Sequence, residues 1–152
     1  MAPQLFADDL APGFRFAGEA KTLSAEMFAA FAALTGDKHP IHYDASYAAK
    51  TKFGRPIAHG LLLAALTALG ATGLSEQLED SMIAMLDEHM EFLRPVFVGD
   101  VVLPEFEVVA VESKGDGRSA RVEIAVGLSN QAGERVIAGR HAYLLRCRPR
   151  VG

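Results

Sequence analysis

The sequence predicts an α+β fold, with helices against one face of an antiparallel sheet, because its two halves follow different periodicities. In the first half, apolar residues recur at the spacing of a helix face, and residues 57–74 form an uncharged, mostly apolar run. From Ser81 onward, apolar and polar residues alternate as they do in a half-buried strand. Helices followed by a meander of strands favour a single α+β domain over residues 1–152.

The composition is that of a globular protein with a sizeable core. Half of the 152 residues are hydrophobic and 22% are charged, which does not suit a disordered chain. The formal net charge of -4 argues against a nucleic-acid partner. Arg146, Arg148 and Arg150 alternate near the C-terminus and are expected to form a solvated strand edge.

The sequence favours a cytoplasmic protein over a secreted or membrane protein. The first ten residues have no basic segment and no long apolar segment of the kind found in signal peptides. Residues 57–74 are nearly long enough to span a bilayer, but they contain three glycines, two threonines and a histidine. We therefore expect a helix that protein buries on all sides. The single cysteine, Cys147, rules out an internal disulfide and is expected to be a half-buried structural thiol.

Before the first helix, a strand is expected over residues 14–21, where apolar and polar residues partly alternate. The helix is predicted to begin after Ser24, a favourable N-cap residue, and to end at Gly36, which suits a left-handed C-terminal position. The face that it turns to the core is predicted from the spacing of Met27, Phe28, Phe31 and Leu34.

Two more helices are predicted before the strands begin. Asp44 is placed to cap a short helix that ends near Lys50. After Gly60 the apolar residues fall on every face, which predicts a long core helix around which the sheet wraps. Its first N–H groups, near His59 and Gly60, would point into the interior without partners. Such buried donors favour a negative or carbonyl-like group at that point.

The second half is predicted to form a meander of four strands joined by hairpin turns. The strands are expected over residues 82–93, 101–112, 121–128 and 135–148, with turns at residues 114–117 and 130–133. In the first of these strands, one face is predicted to carry Leu86, Met90 and Phe92, and the other Asp87, His89 and Glu91. In the third, the apolar face is predicted to consist of Val122, Ile124, Val126 and Leu128.

The segment between the first two helices carries the residues best suited to chemistry, Asp37 and His42. Five residues apart on one helix, their side chains would point about 140° apart. Pro40 lacks an N–H and disfavours helical backbone at His39. We therefore expect an ordered turn on which the tips of Asp37 and His42 converge. A carboxylate beside an imidazole is suited to activating water near neutral pH.

Each of these residues also has an interpretation that requires no catalysis. Aspartate after a helix-ending glycine is common turn chemistry, and a single histidine after proline is often structural. A second chemical interpretation is a metal site formed by Asp37, His39 and His42, although Pro40 makes their local geometry awkward. Elsewhere, His89 and His141 are expected in strands, with packing or surface roles, and Tyr43 and Tyr47 are expected to pack.

Two blocks of this region have glycine, aspartate, proline and histidine at fixed offsets: FAALTGDKHPIHYD at residues 31–44 and FGRPIAHG at residues 53–60. Together they resemble the MaoC-like dehydratases, the (R)-specific enoyl-CoA hydratase group. The resemblance is strong over residues 30–66, and the order of elements outside that range is compatible with it. One departure is His39, since the family usually has asparagine immediately before the proline. Asparagine can brace the turn by side-chain hydrogen bonds, and His39 is a partial substitute.

The resemblance implies a hot-dog fold, in which an antiparallel sheet wraps around a long central helix, working as a homodimer or a dimer-based higher assembly. It implies hydration of trans-2-enoyl-CoA thioesters to (R)-3-hydroxyacyl thioesters, or the reverse dehydration, with no metal or other cofactor. The catalytic pair would be Asp37 and His42, and the backbone N–H of Gly60 would be the oxyanion donor. His59 and Pro56 are expected to contact the substrate.

Two other functions are compatible with the same fold. A thioesterase would use a carboxylate to attack the thioester carbonyl and would not be expected to require His42. A non-catalytic acyl-binding subunit would keep the pocket without turnover, but the presence of both Asp37 and His42 argues against it. The hydratase/dehydratase interpretation is therefore the leading prediction.

Overall fold

The computed structural model describes residues 2–150, which contain one six-stranded antiparallel sheet. Its strands are β1 (Arg15–Ala17), β2 (Lys21–Thr22), β3 (Met82–Phe92), β4 (Val101–Ser113), β5 (Ser119–Ser129) and β6 (Arg135–Arg146). Five of them follow the order β1-β4-β5-β6-β3, and β2 pairs with β4 beside this path. The predicted meander is confirmed for β4, β5 and β6, but β3 pairs with β6 and not with β4, so it forms one edge of the sheet.

Three α-helices precede β3: α1 (Ala25–Thr35), α2 (Ala45–Ala48) and α3 (Gly60–Ala65). The predicted caps are confirmed. The Ser24 hydroxyl oxygen accepts a hydrogen bond from the Met27 N–H at 3.2 Å, and Gly36 ends α1 with φ +80°. The Asp44 carboxylate accepts from the Tyr47 N–H at 3.0 Å and begins α2.

The helix predicted after Gly60 is much shorter than expected, and protein does not bury it on all sides. Thr67 explains where it ends, because both its N–H and its hydroxyl donate to the Ala64 carbonyl, at 3.0 Å and 2.6 Å. Such side-chain-to-backbone bonding competes with the helical pattern, and tighter three-residue turns follow. Leu62, Leu63 and Ala64 are buried, whereas Leu61 is 69% exposed.

The strand expected over residues 14–21 is divided into β1 and β2. Gly18 separates them and lies so close to Pro104 that an added Cβ would be 2.7 Å from the proline ring. The Gly18 N–H donates to the Pro104 carbonyl at 3.0 Å, but Pro104 has no N–H with which to continue the ladder. The pairing with β4 therefore stops after Ala17 and resumes at Lys21.

Three residues predicted to face the core are exposed. Leu34 of α1 is 84% exposed, because at 100° per residue it lies about 120° around the helix from the buried Phe28. In β3, the pairing with β6 is irregular between Met85 and Asp87, which puts Leu86 out of the strict alternation. Leu86 and Phe92 are both exposed, and only Met90 of the predicted apolar face packs against the core.

The buried residues form two clusters on one face of the sheet. One joins the N-terminal segment and the chain after α3 to β4, β5 and β6. The other joins α1 and α3 to the ends of β5 and β6. The predicted apolar face of β5 is confirmed, with Val122, Ile124, Val126 and Leu128 all buried. No helix among residues 2–150 is long and apolar enough to cross a membrane.

Candidate functional site

The turn after α1 presents Asp37, Pro40 and His42 as the sequence predicts. The Thr35 hydroxyl donates to the Phe31 carbonyl at 2.7 Å and accepts from the Asp37 N–H at 3.2 Å. Pro40 begins a single 3-10 turn, Pro40–His42. Local hydrogen bonds therefore hold the backbone on both sides of the proline, and the two side chains are fixed relative to each other.

The structure brings the Asp37 carboxylate and the His42 ring together. One ligand atom from each of Asp37, His42 and His59 lies within 4.8 Å of the other two. A water molecule that makes two hydrogen bonds of about 2.8 Å, at a tetrahedral angle, spans about 4.6 Å between its partners. The separation of carboxylate and imidazole is therefore that of two groups able to share one water molecule.

A backbone contact fixes which nitrogen of His42 is free. The His42 Nδ1 lies 2.7 Å from the Ile57 carbonyl oxygen, and since a carbonyl only accepts, Nδ1 carries the hydrogen. In the neutral ring Nε2 then has the lone pair. The Ile57 N–H donates to the Ile41 carbonyl at 3.2 Å, so the same residue also ties the second sequence block to the turn.

Tyr43 contacts Asp37, and His59 contacts His42. The Tyr43 hydroxyl lies 2.5 Å from the Asp37 carbonyl and 2.5 Å from His59 Nε2. The carbonyl takes the hydroxyl hydrogen, so His59 Nε2 carries a hydrogen and donates it to the Tyr43 oxygen. The His59 ring stacks on the His42 ring with centroids 3.7 Å apart and an angle of 21° between the planes. Asp37, Tyr43, His59 and His42 therefore position one another.

The contacts of Tyr43 and the burial of His59 differ from those that the sequence predicts. Tyr43 makes two polar contacts in addition to packing, and the ring of His59 is 2% exposed, which favours a positioning role over substrate contact. His59 Nδ1 is buried and has no hydrogen-bond partner in the described part of the chain. The only sequence signal for the contact between Tyr43 and His59 was that both belong to the motif blocks, because the two residues are sixteen positions apart.

His39 braces the turn, as expected for a partial substitute for the asparagine that the family usually has at this position. Its Nδ1 accepts a hydrogen bond from the Ile41 N–H at 3.2 Å, and its own N–H donates to the Asp37 carboxylate at 3.2 Å. Asparagine can make the first of these bonds with its side-chain oxygen. Nδ1 is thereby occupied, and the three-residue cluster of potential metal ligands contains His59 in place of the predicted His39.

Gly60 begins α3 directly after the buried His59. A Cβ added to Gly60 would lie 3.0–3.3 Å from three carbons of the Phe92 ring, so this position has room only for backbone. In residues 2–150 no backbone carbonyl accepts a hydrogen bond from the Gly60 N–H. With six residues, α3 is too short for a large macrodipole, and the individual N–H group is the relevant donor. Pro56 is half-buried in the loop that leads to this helix.

Two buried histidines make the stability of the fold sensitive to acid. Burial is the main cause that lowers the pKa of both His59 and His141 from 6.5. Protons therefore bind the unfolded chain more readily, so the stability present above pH 6.5 is lost as the pH falls. The loss is at most about 1.4 kcal/mol per pH unit for each histidine.

We expect the midpoint of urea unfolding to fall between pH 6.5 and pH 5, with little change between pH 7 and pH 8. His141→Gln should reduce the slope, because one of the two titrating groups is removed. A midpoint that stays constant or rises on acidification to pH 5 would contradict this account of the two rings.

Comparison with known proteins identifies the family. The MaoC-like domain family matches residues 11–132. An (R)-specific enoyl-CoA hydratase from Aeromonas caviae is 46% identical over 91 residues, which cover 60% of this chain and 66% of that protein. A 3-hydroxybutyryl-CoA dehydratase from Methylorubrum extorquens is 32% identical over 111 residues, which cover 73% of this chain and 68% of that protein. The chain thus spans about two thirds of the length of these two relatives.

Solved structures confirm the fold class. A protein from Archaeoglobus fulgidus described as a monoamine oxidase regulatory protein superposes with a TM-score of 0.89 at 32% identity, covering 97% of this chain and 98% of that one. A Mycobacterium tuberculosis protein described as having a double hot-dog fold superposes with a TM-score of 0.79 at 24% identity, covering 98% of this chain and 46% of that one. The predicted hot-dog α+β class is correct, although α3 is short.

Proposed function

Given that the chain belongs to the MaoC-like domain family and is an enzyme of the hydratase/dehydratase class, we propose that it adds water to trans-2-enoyl-CoA thioesters, giving (R)-3-hydroxyacyl-CoA, and catalyses the reverse dehydration. The observation that carries this proposal is the separation of at most 4.8 Å between an Asp37 carboxylate oxygen and a His42 ring nitrogen. That distance suits a single water molecule held by both groups. The names of the two relatives support the substrate class.

The proposed reaction uses the pair as acid and base. The oxygen of the shared water forms a bond to C3 as one O–H bond breaks, and one member of the pair takes that proton. A proton from the pair forms the new bond at C2. The pair is therefore unchanged after each turnover, once a proton has passed between its members.

The Gly60 N–H is proposed to stabilise the enolate oxygen that forms on the thioester. The donor lies next to the buried His59, which stacks on His42, and the missing side chain leaves room for a carbonyl group to approach. A single preorganised donor of this type contributes about 3–4 kcal/mol to transition-state stabilisation where it has been measured. Pro56, in the same loop, is proposed to contact the substrate.

The acyl chain is proposed to occupy a cavity whose lining begins at Leu61, the residue after Gly60. This cavity has a volume of about 600 Å³ and follows the face of α3 that carries Leu61, Ala64 and Ala65. Its other walls are mostly apolar and come from β3, β6 and the segment after α3. Mostly apolar walls with a few polar groups are typical of sites that bind a hydrocarbon chain.

The homodimer is proposed to form through the edge strand β3. Among the described strands only β6 pairs with β3, so alternate residues of this eleven-residue strand turn their backbone N–H and C=O groups to an edge that has no partner strand. Ile83, Met85 and Leu86 are all more than 40% exposed there, and Leu61 of α3 is 69% exposed. A second copy paired antiparallel along this edge would satisfy the backbone and cover these side chains.

One assay tests the proposed reaction against its alternatives. Purified protein is mixed with crotonyl-CoA, and the absorbance of the conjugated enoyl group is followed together with the release of free thiol. We expect the absorbance to fall with no thiol released, and chiral analysis to give the (R)-3-hydroxy product. Thiol release would identify a thioesterase, and no change in either signal would identify a binding subunit.

Gly60→Ala is expected to lower kcat/KM for crotonyl-CoA more than tenfold, because the new methyl group would fill the space beside the N–H and press on Phe92. The same overpacking should reduce the free energy of unfolding by about 1–3 kcal/mol. The double variant Gly60→Ala/Phe92→Leu separates the two effects, with Phe92→Leu as its control. We expect it to recover stability without recovering activity. A Gly60→Ala enzyme with the wild-type kcat/KM would exclude the oxyanion role.

Removal of metal ions is expected to leave activity unchanged. His59 Nε2 carries a hydrogen that it donates to Tyr43, so it has no lone pair for a metal ion within the cluster of Asp37, His42 and His59. The measurement is kcat after dialysis against EDTA and then against metal-free buffer. Loss of activity that Zn²⁺ or Mn²⁺ restores would instead establish a metal site.

A further inference from the structure

Two buried polar side chains, His141 and Tyr143, line the cavity in which the acyl chain is proposed to bind. They are 2% and 5% exposed, and they share one face of β6 because they are two residues apart in a strand. Their partners on β3, Glu88 and Met85, line the same cavity. A hydrocarbon chain makes no use of buried polar groups, which cost free energy to bury, so this part of the cavity requires another explanation.

The neighbouring threonine fixes the direction of the hydrogen bonds in this group. The Thr67 hydroxyl donates to the Ala64 carbonyl at 2.6 Å, so towards His141 Nε2, at 3.4 Å, its oxygen can only accept. Nε2 therefore carries the hydrogen, and burial lowers the pKa of His141 from 6.5, which keeps the ring neutral. Nδ1 then has the lone pair and accepts the hydrogen of the Tyr143 hydroxyl at 2.8 Å.

The Tyr143 oxygen is left as an acceptor without a donor. Among residues 2–150, His141 is the hydrogen-bond partner of this hydroxyl, and the contact uses its hydrogen and not its lone pairs. Burial raises the pKa of Tyr143 to about 12, so the group keeps its proton at neutral pH. A plain hydrocarbon chain in the cavity would exclude water and leave the oxygen unpaired, at a cost in free energy. A ligand group that donates a hydrogen bond would remove that cost.

We propose that Tyr143, held in place by His141, is a polar subsite that accepts a hydrogen bond from a hydroxyl group on the acyl chain of the substrate. The inference rests on the proposed function and narrows its substrate class to acyl-CoA thioesters with a hydroxylated chain. A hydroxyl is uncharged and has a hydrogen to donate, whereas a ketone or ether oxygen only accepts. Tyr143 is thus a specificity-determining residue and takes no part in the chemistry at C2 and C3.

The charges around the cavity argue against a chain that ends in a carboxylate. Glu79 and Glu88 are the acidic residues of its lining, and no lysine or arginine lines it. His141 is neutral and adds no positive charge. A second carboxylate would therefore be repelled by the two glutamates without a cation to compensate, whereas a hydroxyl group is not affected by their charge.

The distance from Gly60 to His141 gives the position of this hydroxyl on the acyl chain. Thr67, which contacts His141, is seven residues after Gly60, which is about 10 Å at the rise of a helix. On the sheet, the Phe92 ring lies against Gly60. Phe92 pairs with Ile137, and His141 is four residues further along β6, about 13 Å in a strand. An extended carbon chain covers either span with about eight to eleven bonds. With the thioester carbonyl at the Gly60 N–H, the hydroxyl belongs on about the eighth to eleventh carbon.

Substrate comparison with the wild-type enzyme tests the subsite without any substitution. We expect kcat/KM for 10-hydroxydec-2-enoyl-CoA to be about tenfold or more above that for 10-methoxydec-2-enoyl-CoA, which keeps the oxygen but has no hydrogen to donate. The CoA monothioester of dec-2-enedioic acid, which ends in a carboxylate, should be the poorest of the three. Equal values for the hydroxy and methoxy thioesters, or a preference for the carboxylate, would overturn the proposal.

Tyr143→Phe removes the acceptor oxygen and keeps the ring. We expect its kcat/KM for 10-hydroxydec-2-enoyl-CoA to fall about tenfold or more. Its kcat/KM for crotonyl-CoA, whose four-carbon chain is too short to reach Tyr143, should equal that of the wild type. Tyr47→Phe is the matched control, because Tyr47 is 42% exposed and lies outside the cavity, and it should keep both values. Equal losses on both thioesters would show that the Tyr143 hydroxyl serves the fold alone, and would refute the subsite.

Direct binding separates failure of this inference from failure of the proposed reaction. Calorimetric titration with 10-hydroxydecanoyl-CoA, which has no double bond to hydrate, is expected to show about tenfold or more tighter binding than 10-methoxydecanoyl-CoA, and Tyr143→Phe should abolish the difference. Equal affinities, or tighter binding of 10-aminodecanoyl-CoA through the two glutamates, would contradict a hydroxyl subsite. A protein that shows the expected preference but does not hydrate crotonyl-CoA would refute the proposed reaction and leave this subsite in place.

Discussion

Replacing Asp37 with asparagine is expected to lower kcat on crotonyl-CoA by about 10²–10⁴-fold, the range typical for loss of a general acid or base. Asparagine keeps the side-chain oxygen that accepts the His39 N–H at 3.2 Å, so the turn should retain its conformation. It cannot accept a proton from water. The measurement is steady-state kinetics at constant pH, with urea unfolding to show that the fold is unchanged.

Asp44→Asn is the matched control for this substitution. The Asp44 carboxylate also accepts one backbone N–H, that of Tyr47 at 3.0 Å, and asparagine is an equally good helix cap. Because Asp44 caps α2 and is not part of the cluster around His42, the variant should keep the wild-type rate. An Asp37→Asn enzyme as fast as Asp44→Asn would show that Asp37 is only a turn residue.

Replacing His42 with asparagine is expected to produce a loss of similar size, again about 10²–10⁴-fold in kcat. The asparagine amide N–H₂ lies near the position of Nδ1 and can still donate to the Ile57 carbonyl, which His42 contacts at 2.7 Å. The substitution removes Nε2, the nitrogen that would face the water. A thioesterase of the kind considered above would not be expected to need that nitrogen, so the same variant distinguishes the two reactions.

His39→Asn is the control for His42→Asn. His39 lies three residues away and uses Nδ1 to accept the Ile41 N–H, a bond that asparagine can also make. We expect near-wild-type kcat and an unchanged urea midpoint. If His39→Asn were as slow as His42→Asn, the imidazole of residue 39 and not that of residue 42 would be the functional group.

The features predicted correctly from sequence depend on contacts between residues close together in the chain. Ser24, Gly36 and Asp44 define helix ends through bonds to backbone groups three or four residues away, which a sequence pattern encodes directly. Pro40 similarly fixes the bend that brings Asp37 and His42 together. Short-range rules were therefore enough to identify the turn that carries both side chains.

The features missed from sequence depend on long-range contacts or on competing side-chain bonds. The contact between Tyr43 and His59 exists because Ile57 pairs with Ile41 across the fold, and no local pattern records that pairing. The helix after Gly60 is short because the Thr67 hydroxyl bonds to Ala64, although the apolar pattern continues past it. Hydropathy alone does not distinguish a long buried helix from a short one followed by buried turns.

The kinetics of the double variant Asp37→Asn/His42→Asn test most directly whether the two groups act on one water molecule. Residues that act as a unit lose their function together, so the second substitution adds little to the first. We expect kcat of the double variant to be close to that of the slower single variant. A kcat lowered by the product of the two single effects would show that Asp37 and His42 act independently, and would contradict the shared water on which the proposed mechanism rests.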